Sequence, residues 1–159
     1  MDDQPLILHP LFVHLHIAFL IMAFAAMGYW LVKGLSSSVF EDRVYRFARV
    51  CTALGVLFVA LSMGAGLHDA LRGSFVGFDG DYGGWIALKA LLATLLLVVY
   101  GAFLRLSARK PRYLQEEPRL MAWCLGTQAV GFLVVVAITA IGTMLVYYQA
   151  HLPRFPLPW

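Results

Sequence analysis

The sequence predicts an all-α integral membrane protein, a four-helix up-down bundle with both termini on the outer, periplasmic side of the membrane. The first observation behind this prediction is composition. Of 159 residues, 61% are hydrophobic and 13% are charged, and the mean hydropathy is +0.77. A soluble domain is about half apolar and about a quarter charged. Because a soluble domain of this size cannot bury so much apolar surface, the excess belongs in lipid.

The second observation is the distribution of the apolar residues, which fall in four long runs. They predict helices at about 7–32, 48–68, 85–106 and 120–149, within a single transmembrane domain of residues 1–159. Each run is near or above the roughly 18–20 residues that a helix needs to cross about 30 Å of hydrocarbon. No run alternates as a strand does, and lipid requires that every backbone polar group be paired internally, so helices are predicted.

The third observation is that the connections are short and polar, which favours neighbours in sequence packing as neighbours in space. The start, Met1-Asp2-Asp3, is acidic where a signal peptide is basic. The first helix is therefore expected to remain as a membrane span.

The orientation follows from the basic residues. Nine of the twelve Lys and Arg residues fall in segments 33–49 and 105–119. Basic loops stay on the cytoplasmic side, so the termini and the loop between helices 2 and 3 are expected on the periplasmic side of a bacterial inner membrane. The net charge of +3 is then mostly a topology signal, and no nucleic-acid partner is implied.

All five histidines fall toward the predicted outer end of the bundle: His9, His14, His16, His68 and His151. A histidine within or beside a span is costly, so it usually faces the bundle interior or water and has a partner. Such a cluster is compatible with haem ligation, with a metal or proton site, or with hydrogen bonding at the interface.

Haem b is the cofactor that this pattern suggests first, because its iron takes two neutral imidazoles from facing helices. His14 and His68 are the preferred ligands, and His9 or His16 is the alternative on helix 1. His14 lies about 140° from His9 and about 160° from His16 around the helix, so the three cannot face helix 2 together. Arg72 and Lys89 are candidates to pair with the haem propionates.

The approach to His68 carries small residues. Ala60, Gly64 and His68 recur at every fourth position, which leaves space for a flat macrocycle or for a closely packed helix. Small-residue stripes are the usual way in which transmembrane helices pack. Histidine at a helix end also often bonds headgroups, carbonyls or water, so a purely structural role remains open.

Two other kinds of site fit parts of the sequence. A zinc or copper site needs three or four converging ligands, which His9, His16, His68 and Asp69 could in principle supply. On helix 4, one face carries a row of polar and small residues, namely Gln128, Gly131, Val135, Thr139 and Gly142. This face is most simply a packing face, with Gln128 bonding across helices. A quinone contact there is the less favoured alternative.

Helix 1 resembles a known family. The run His9-Pro10-Leu11-Phe12-Val13-His14-Leu15-His16-Ile17-Ala18 is similar to the HPLxVHFPIA opening of a bacterial four-span membrane family, domain of unknown function 2231. Gly64-Ala65-Gly66-Leu67-His68-Asp69 is similar to the motif that ends that family's second span. This chain departs from the family at two positions. His16 stands where the family usually has proline. The histidine expected at the start of the family's third span is missing, and Leu88 and Lys89 lie near that position. The resemblance implies haem binding or membership of an electron-transfer system.

The sequence therefore predicts a membrane subunit of a bacterial electron-transfer complex, without catalytic activity of its own. It would hold a bis-histidine b-type haem near the periplasmic face and pass electrons between a quinone and a redox partner subunit. Its expected partners are lipid and the other membrane and periplasmic subunits of that complex. The alternative is a cofactor-free structural or anchor subunit. A metal or proton transporter is disfavoured because no charge falls at mid-membrane.

Overall fold

A computed structural model describes residues 9–71, 82–108, 111–147 and 153–155. The described chain is helical and contains no strand. Its helices, in chain order, are α1 (His9–Ser37), α2 (Asp42–Leu71), α3 (Gly83–Leu106), α4 (Pro111–Glu116) and α5 (Pro118–Tyr147).

Four of these helices, α1, α2, α3 and α5, are long and apolar enough to cross a membrane. Their most apolar 18-residue windows have mean hydropathies between 2.1 and 2.5. These four helices confirm the predicted fold class and a multi-pass membrane protein. The side of the membrane on which the termini lie stays a prediction.

The four long helices form a ring. α1 packs along α2, and α3 packs along α5; smaller contacts join α2 to α3 and α1 to α5. Close approaches hold the two pairs, with Leu20 of α1 lying directly over Gly55 of α2, where there is no room for a side chain. The antiparallel order gives the bundle two ends. We call the end where α1 and α3 begin the histidine end, and the opposite one the basic end.

Two apolar clusters fill the bundle. The central core lies in its middle and draws on all four long helices: Leu20, Val59, Ala93, Leu96, Tyr100, Val135 and Ile138. The second cluster fills the basic end: Met27, Trp30, Tyr45, Ala48, Phe103, Leu114 and Cys124. There the Tyr45 hydroxyl donates to the carbonyl oxygen of Ser107, which ties α2 to the end of α3. Short helix α4, in the predicted loop, contributes Leu114 to this cluster.

At the basic end, α1 and α2 extend beyond the apolar runs that predicted them. The α1 helix continues to Ser37, and α2 already begins at Asp42. The Ser37 hydroxyl donates to the carbonyl oxygen of Lys33 at 2.7 Å, and the Lys33 ammonium pairs with Glu41. Ser38, with φ 56°, makes the turn between the helices. Both helices therefore extend through polar residues beyond the predicted limits. Local hydrogen bonds and an ion pair, and not apolar burial, stabilise these helix ends.

Residues 153–155 lie against the start of α3. The Gly84 amide donates to the carbonyl oxygen of Phe155 at 2.7 Å, and the Trp85 indole donates to that of Pro153 at 3.0 Å. The Phe155 ring packs edge-on against Trp85, with 5.9 Å between ring centroids. The first amides of a helix have no partner within it. No side chain caps α3 at Tyr82. Residues 153–155, which we call the tail, therefore supply one of the missing acceptors.

Candidate functional site at the histidine end

His14 is exposed on the outer surface of α1. Its Nδ1 lies 2.7 Å from the carbonyl oxygen of Pro10, one turn earlier. A carbonyl oxygen only accepts hydrogen bonds, so in the neutral tautomer that fits this contact Nδ1 carries the proton and Nε2 carries the lone pair. A hydrogen bond from one ring nitrogen to a backbone carbonyl is the usual way in which the other nitrogen is prepared to bind a metal. His14 therefore presents an oriented acceptor at the bundle surface.

The contacts of α1 show which way His14 points. Phe12 and Phe19 both stack on Phe58 of α2, with ring centroids 6.3 and 5.7 Å apart. At 100° per residue, His14 lies about 200° from Phe12 and about 140° from Phe19. The helix therefore turns His14 away from α2, the helix that carries His68.

His68 is exposed near the end of α2. The small-residue stripe that leads to it, Ala60 and Gly64, is also exposed, and a Cβ added at Gly64 would meet nothing within 4 Å. The stripe therefore faces away from the rest of the bundle. The space that the small residues leave is lateral, and the α1–α2 interface itself is filled by phenylalanine rings.

His16 is the histidine that faces inward, with 4% of its surface exposed. It belongs to a buried stripe that continues through Leu20 and Ala23 of α1. Of the other predicted residues, His9 lies in the first turn of α1, but its side chain lies outside the described residues. Arg72 lies outside the described residues altogether, and so does His151.

Lys89 turns toward the bundle interior. It is half-buried and lies on the same face of α3 as Ala93, Leu96 and Tyr100, at spacings of four, three and four. Its ammonium reaches α5 at Gly142, where an added Cβ would lie 3.1 Å from Nζ. The chain thus holds this cation between α3 and α5, about one turn into the predicted span.

Four inward-facing residues of the histidine end, one on each long helix, lie at the same level and are called the polar layer: His16, Ser62, Lys89 and Gly142. Ser62 is 5% exposed and lies on α2. Each member lies three or four positions toward the histidine end from a residue of the central core, namely Leu20, Val59, Ala93 and Ile138 respectively. One residue from each long helix therefore stands one turn above the apolar core. Sequence reasoning named Lys89 and His16 but missed Ser62.

A groove runs along the α1–α5 contact beside this layer. Its volume is about 480 Å³, and its walls include Ile17 and Ile21 of α1 and Phe132, Thr139 and Thr143 of α5. Ile17 and Thr143 follow His16 and Gly142 of the polar layer directly in sequence. The groove is open on the outside of the bundle, where the surrounding lipid would lie.

One polar contact crosses the middle of the bundle. The Gln128 side-chain amide of α5 donates to Thr52 Oγ1 of α2 at 3.1 Å, and both residues are buried. Gln128, Gly131 and Val135 are all buried, so the predicted packing face of this helix is confirmed over that stretch. Thr139 and Gly142 are half-buried further along.

Within the described part of the chain, no three His, Cys, Asp or Glu side chains come close enough to hold a metal ion. Two members of the predicted zinc or copper set, His9 and Asp69, have side chains outside that part. No protein-family model, curated protein or solved structure matches the chain. The resemblance of helix 1 to the four-span family therefore rests on the quoted motif residues alone.

Proposed function

We propose that this chain is the membrane subunit of a bacterial electron-transfer complex, with histidine-ligated haem b near the outer face of the inner membrane. The observation that carries the proposal is His14, whose Nδ1 bonds the carbonyl oxygen of Pro10 and whose Nε2 is left to bind iron. Electrons would pass between a quinone and a redox partner subunit. The chain itself would supply ligation, burial and electrostatics, and would not act as an enzyme alone.

The surroundings of the histidines favour a haem at the side of the bundle. The α1–α2 interface has no room for a macrocycle, since Phe12 and Phe19 stack there on Phe58 and Leu20 lies over Gly55. His14 and His68 are both exposed. The haem that fits these residues is shared, with one axial ligand from this chain and the other from a neighbouring subunit or a second copy.

Bound there, haem would supply a one-electron couple between ferric and ferrous iron. His14 would hold the iron through Nε2, and the carbonyl oxygen of Pro10 would fix the orientation of the ring. The small residues of the stripe, Ala60 and Gly64, would allow close approach of a flat group to α2 beside His68. Lys89 points inward, which leaves Arg72 as the remaining predicted partner for a propionate.

The test is a haem assay on protein purified in mild detergent from its native membranes. We expect a b-type signal in reduced-minus-oxidised and pyridine-haemochrome spectra. His14→Gly should lose it, and added imidazole should restore it by occupying the vacated position. Met22→Leu, on the same exposed face of α1, is the matched control and should keep the full signal. Absence of haem at any stoichiometry in the wild-type preparation would refute the proposal.

A cofactor-free anchor subunit is the second candidate, and the open glycines favour it. A Cβ added at Gly28, Gly64, Gly101 or Gly126 would meet nothing within 4 Å. Exposed small residues are where transmembrane helices of neighbouring subunits dock. This function predicts colourless protein and loss of a partner subunit on purification of Gly64→Leu. His14→Gly would then leave the complex intact.

A further inference from the structure

We infer that the polar layer and the α1–α5 groove together form a binding site for an isoprenoid quinone. The head group would lie in the layer, and the tail would leave through the groove into lipid. The inference rests on the proposed function only for the role of the quinone as an electron carrier. Binding itself depends on residues that are separate from the exposed histidines.

The first support is the chemistry of the layer. Quinone carbonyl oxygens accept hydrogen bonds and donate none. The Lys89 ammonium, which lies against Gly142, supplies three hydrogen-bond donors. Every Asp and Glu whose side chain is described lies at the basic end: Glu41, Asp42, Glu116 and Glu117. Among the described side chains, the layer therefore holds a donor and no carboxylate, which suits a ligand that only accepts hydrogen bonds.

The second support is depth. His16 lies seven residues beyond the start of α1 at His9, which is about 10 Å along the helix axis. The 29 residues of α1 span about 44 Å, and a hydrocarbon core of about 30 Å leaves about 7 Å of helix outside at each end. The layer thus lies about 3 Å inside the hydrocarbon boundary. A quinone head group reaches this depth, whereas the phosphate of a phospholipid stays outside the boundary.

The third support is the groove. Its lining is apolar apart from Thr139 and Thr143, and its volume of about 480 Å³ holds several isoprenoid carbons. Two residues of the groove wall also belong to the bundle interior. Val135 is part of the central core, and Ile17 packs against that core. An amphipathic ligand could therefore have its ring inside the bundle and its tail in lipid.

Gly142 is what links the two parts. It lies between Lys89, whose ammonium is close to it, and Thr143, which lines the groove. Because Gly142 has no side chain, the Lys89 ammonium can lie against the backbone of α5, one residue from the wall of the groove. A branched side chain at this position would displace the ammonium.

The experiment titrates purified protein in detergent with decylubiquinone and follows quenching of tryptophan fluorescence. Lys89→Met should weaken binding about tenfold or more, the loss expected for one hydrogen bond to a charged donor. Gly142→Val would displace the Lys89 ammonium and Ile21→Phe would fill the groove, and both should weaken binding to a similar extent without adding a tryptophan to the assay. Three variants test the site by different means, so the misfolding of one leaves the test intact.

Matched controls make the same changes elsewhere. Lys33→Met removes a cation at the basic end, and Gly126→Val adds the same side chain where a Cβ meets nothing within 4 Å. Both should bind with the wild-type dissociation constant. A photoreactive azidoquinone should label peptides of α1 and α5.

Three outcomes would overturn the inference: no quinone binding by the wild type, wild-type affinity in all three variants, or displacement of the quinone by phosphatidylglycerol. The last would assign the layer to a phospholipid headgroup. Haem spectra of the same preparations separate the two proposals. Quinone binding by haem-free protein would refute the haem alone, and a haem signal without quinone binding would refute the quinone site alone.

Discussion

The side chain of Gln128 on α5 donates a 3.1 Å hydrogen bond to Thr52 Oγ1 on α2, and Thr52 in turn donates to the carbonyl oxygen of Ala48 at 2.9 Å. The two helices are separated by two others in the chain, and both side chains are fully buried. A buried polar side chain is stable only when its hydrogen-bond partner is in place. The contact therefore fixes the register of α5 against α2.

Removing one partner of this contact should destabilise the bundle. Thr52→Val would leave the Gln128 amide buried without its acceptor, and we expect a loss of about 1–2 kcal/mol. Gln128→Leu in the Thr52→Val background should recover part of it, since neither polar group then remains. Thermal unfolding in detergent measures both. Thr94→Val is the control, because the Thr94 hydroxyl bonds only the carbonyl oxygen of Ala90 in its own helix; an equal loss there would contradict an interhelical role.

Gly131 should tolerate no side chain. A Cβ at this position would lie 2.5 Å from Cζ of the buried Tyr100 ring, so α3 and α5 would have to separate or the ring would have to move. Overpacking of this kind typically costs about 1–3 kcal/mol. Gly131→Ala should thus lower the melting temperature in detergent, whereas Gly126→Ala on the same helix should not. Partial rescue of Gly131→Ala by Tyr100→Leu would identify the ring as the cause, and a neutral Gly131→Ala would disprove the contact.

The contact of residues 153–155 with α3 predicts a change in protease sensitivity. A Cβ at Gly84 would lie 2.5 Å from the Phe155 ring and 2.6 Å from its carbonyl oxygen, so Gly84→Val should release the tail. Trypsin should then cut after Arg154 faster than in the wild type, as followed by mass spectrometry. Gly101→Val, at an open position of α3, should keep the wild-type rate. Equal cleavage rates for all three proteins would mean that the contact with α3 does not protect the Arg154–Phe155 bond.

The predicted orientation is testable with reporter fusions. The basic residues of segments 33–49 and 105–119 predict that those loops lie in the cytoplasm and that both termini are periplasmic. Alkaline phosphatase fused after Trp159 should be active, and a green fluorescent protein fused there should be dark. The opposite pattern would invert the bundle. It would also place His14 and the polar layer at the cytoplasmic face.

The spans and the packing face of α5 were predictable because long apolar runs and the small-and-polar row from Gln128 to Val135 are direct signals. The inward face of α1 was not. This helix is apolar almost all round, so periodicity does not show whether His14 or His16 faces the core. Only contacts with α2 decide that His16 is buried and His14 exposed.

The inward position of Lys89 is only partly visible in the sequence. Its spacing from Ala93, Leu96 and Tyr100 places it on one face of α3, yet the sequence does not say that this face is the buried one. The tail contact had no signal at all. Pro153 and Phe155 bond α3 through backbone carbonyls, which every residue possesses, and a single aromatic residue among prolines does not indicate which helix its ring contacts.

The bond between Gly84 and Phe155 also sets an order of events during synthesis. The two residues are separated by 71 positions in the sequence, and ribosomes add about 5–20 residues each second. The first turn of α3 therefore exists for about 4 to 14 seconds before its acceptor has been made. Until then, the bilayer surface or the insertion machinery must solvate that amide. The contact between residues 153–155 and α3 is therefore the last of the described contacts at the histidine end for which both partners have been synthesised.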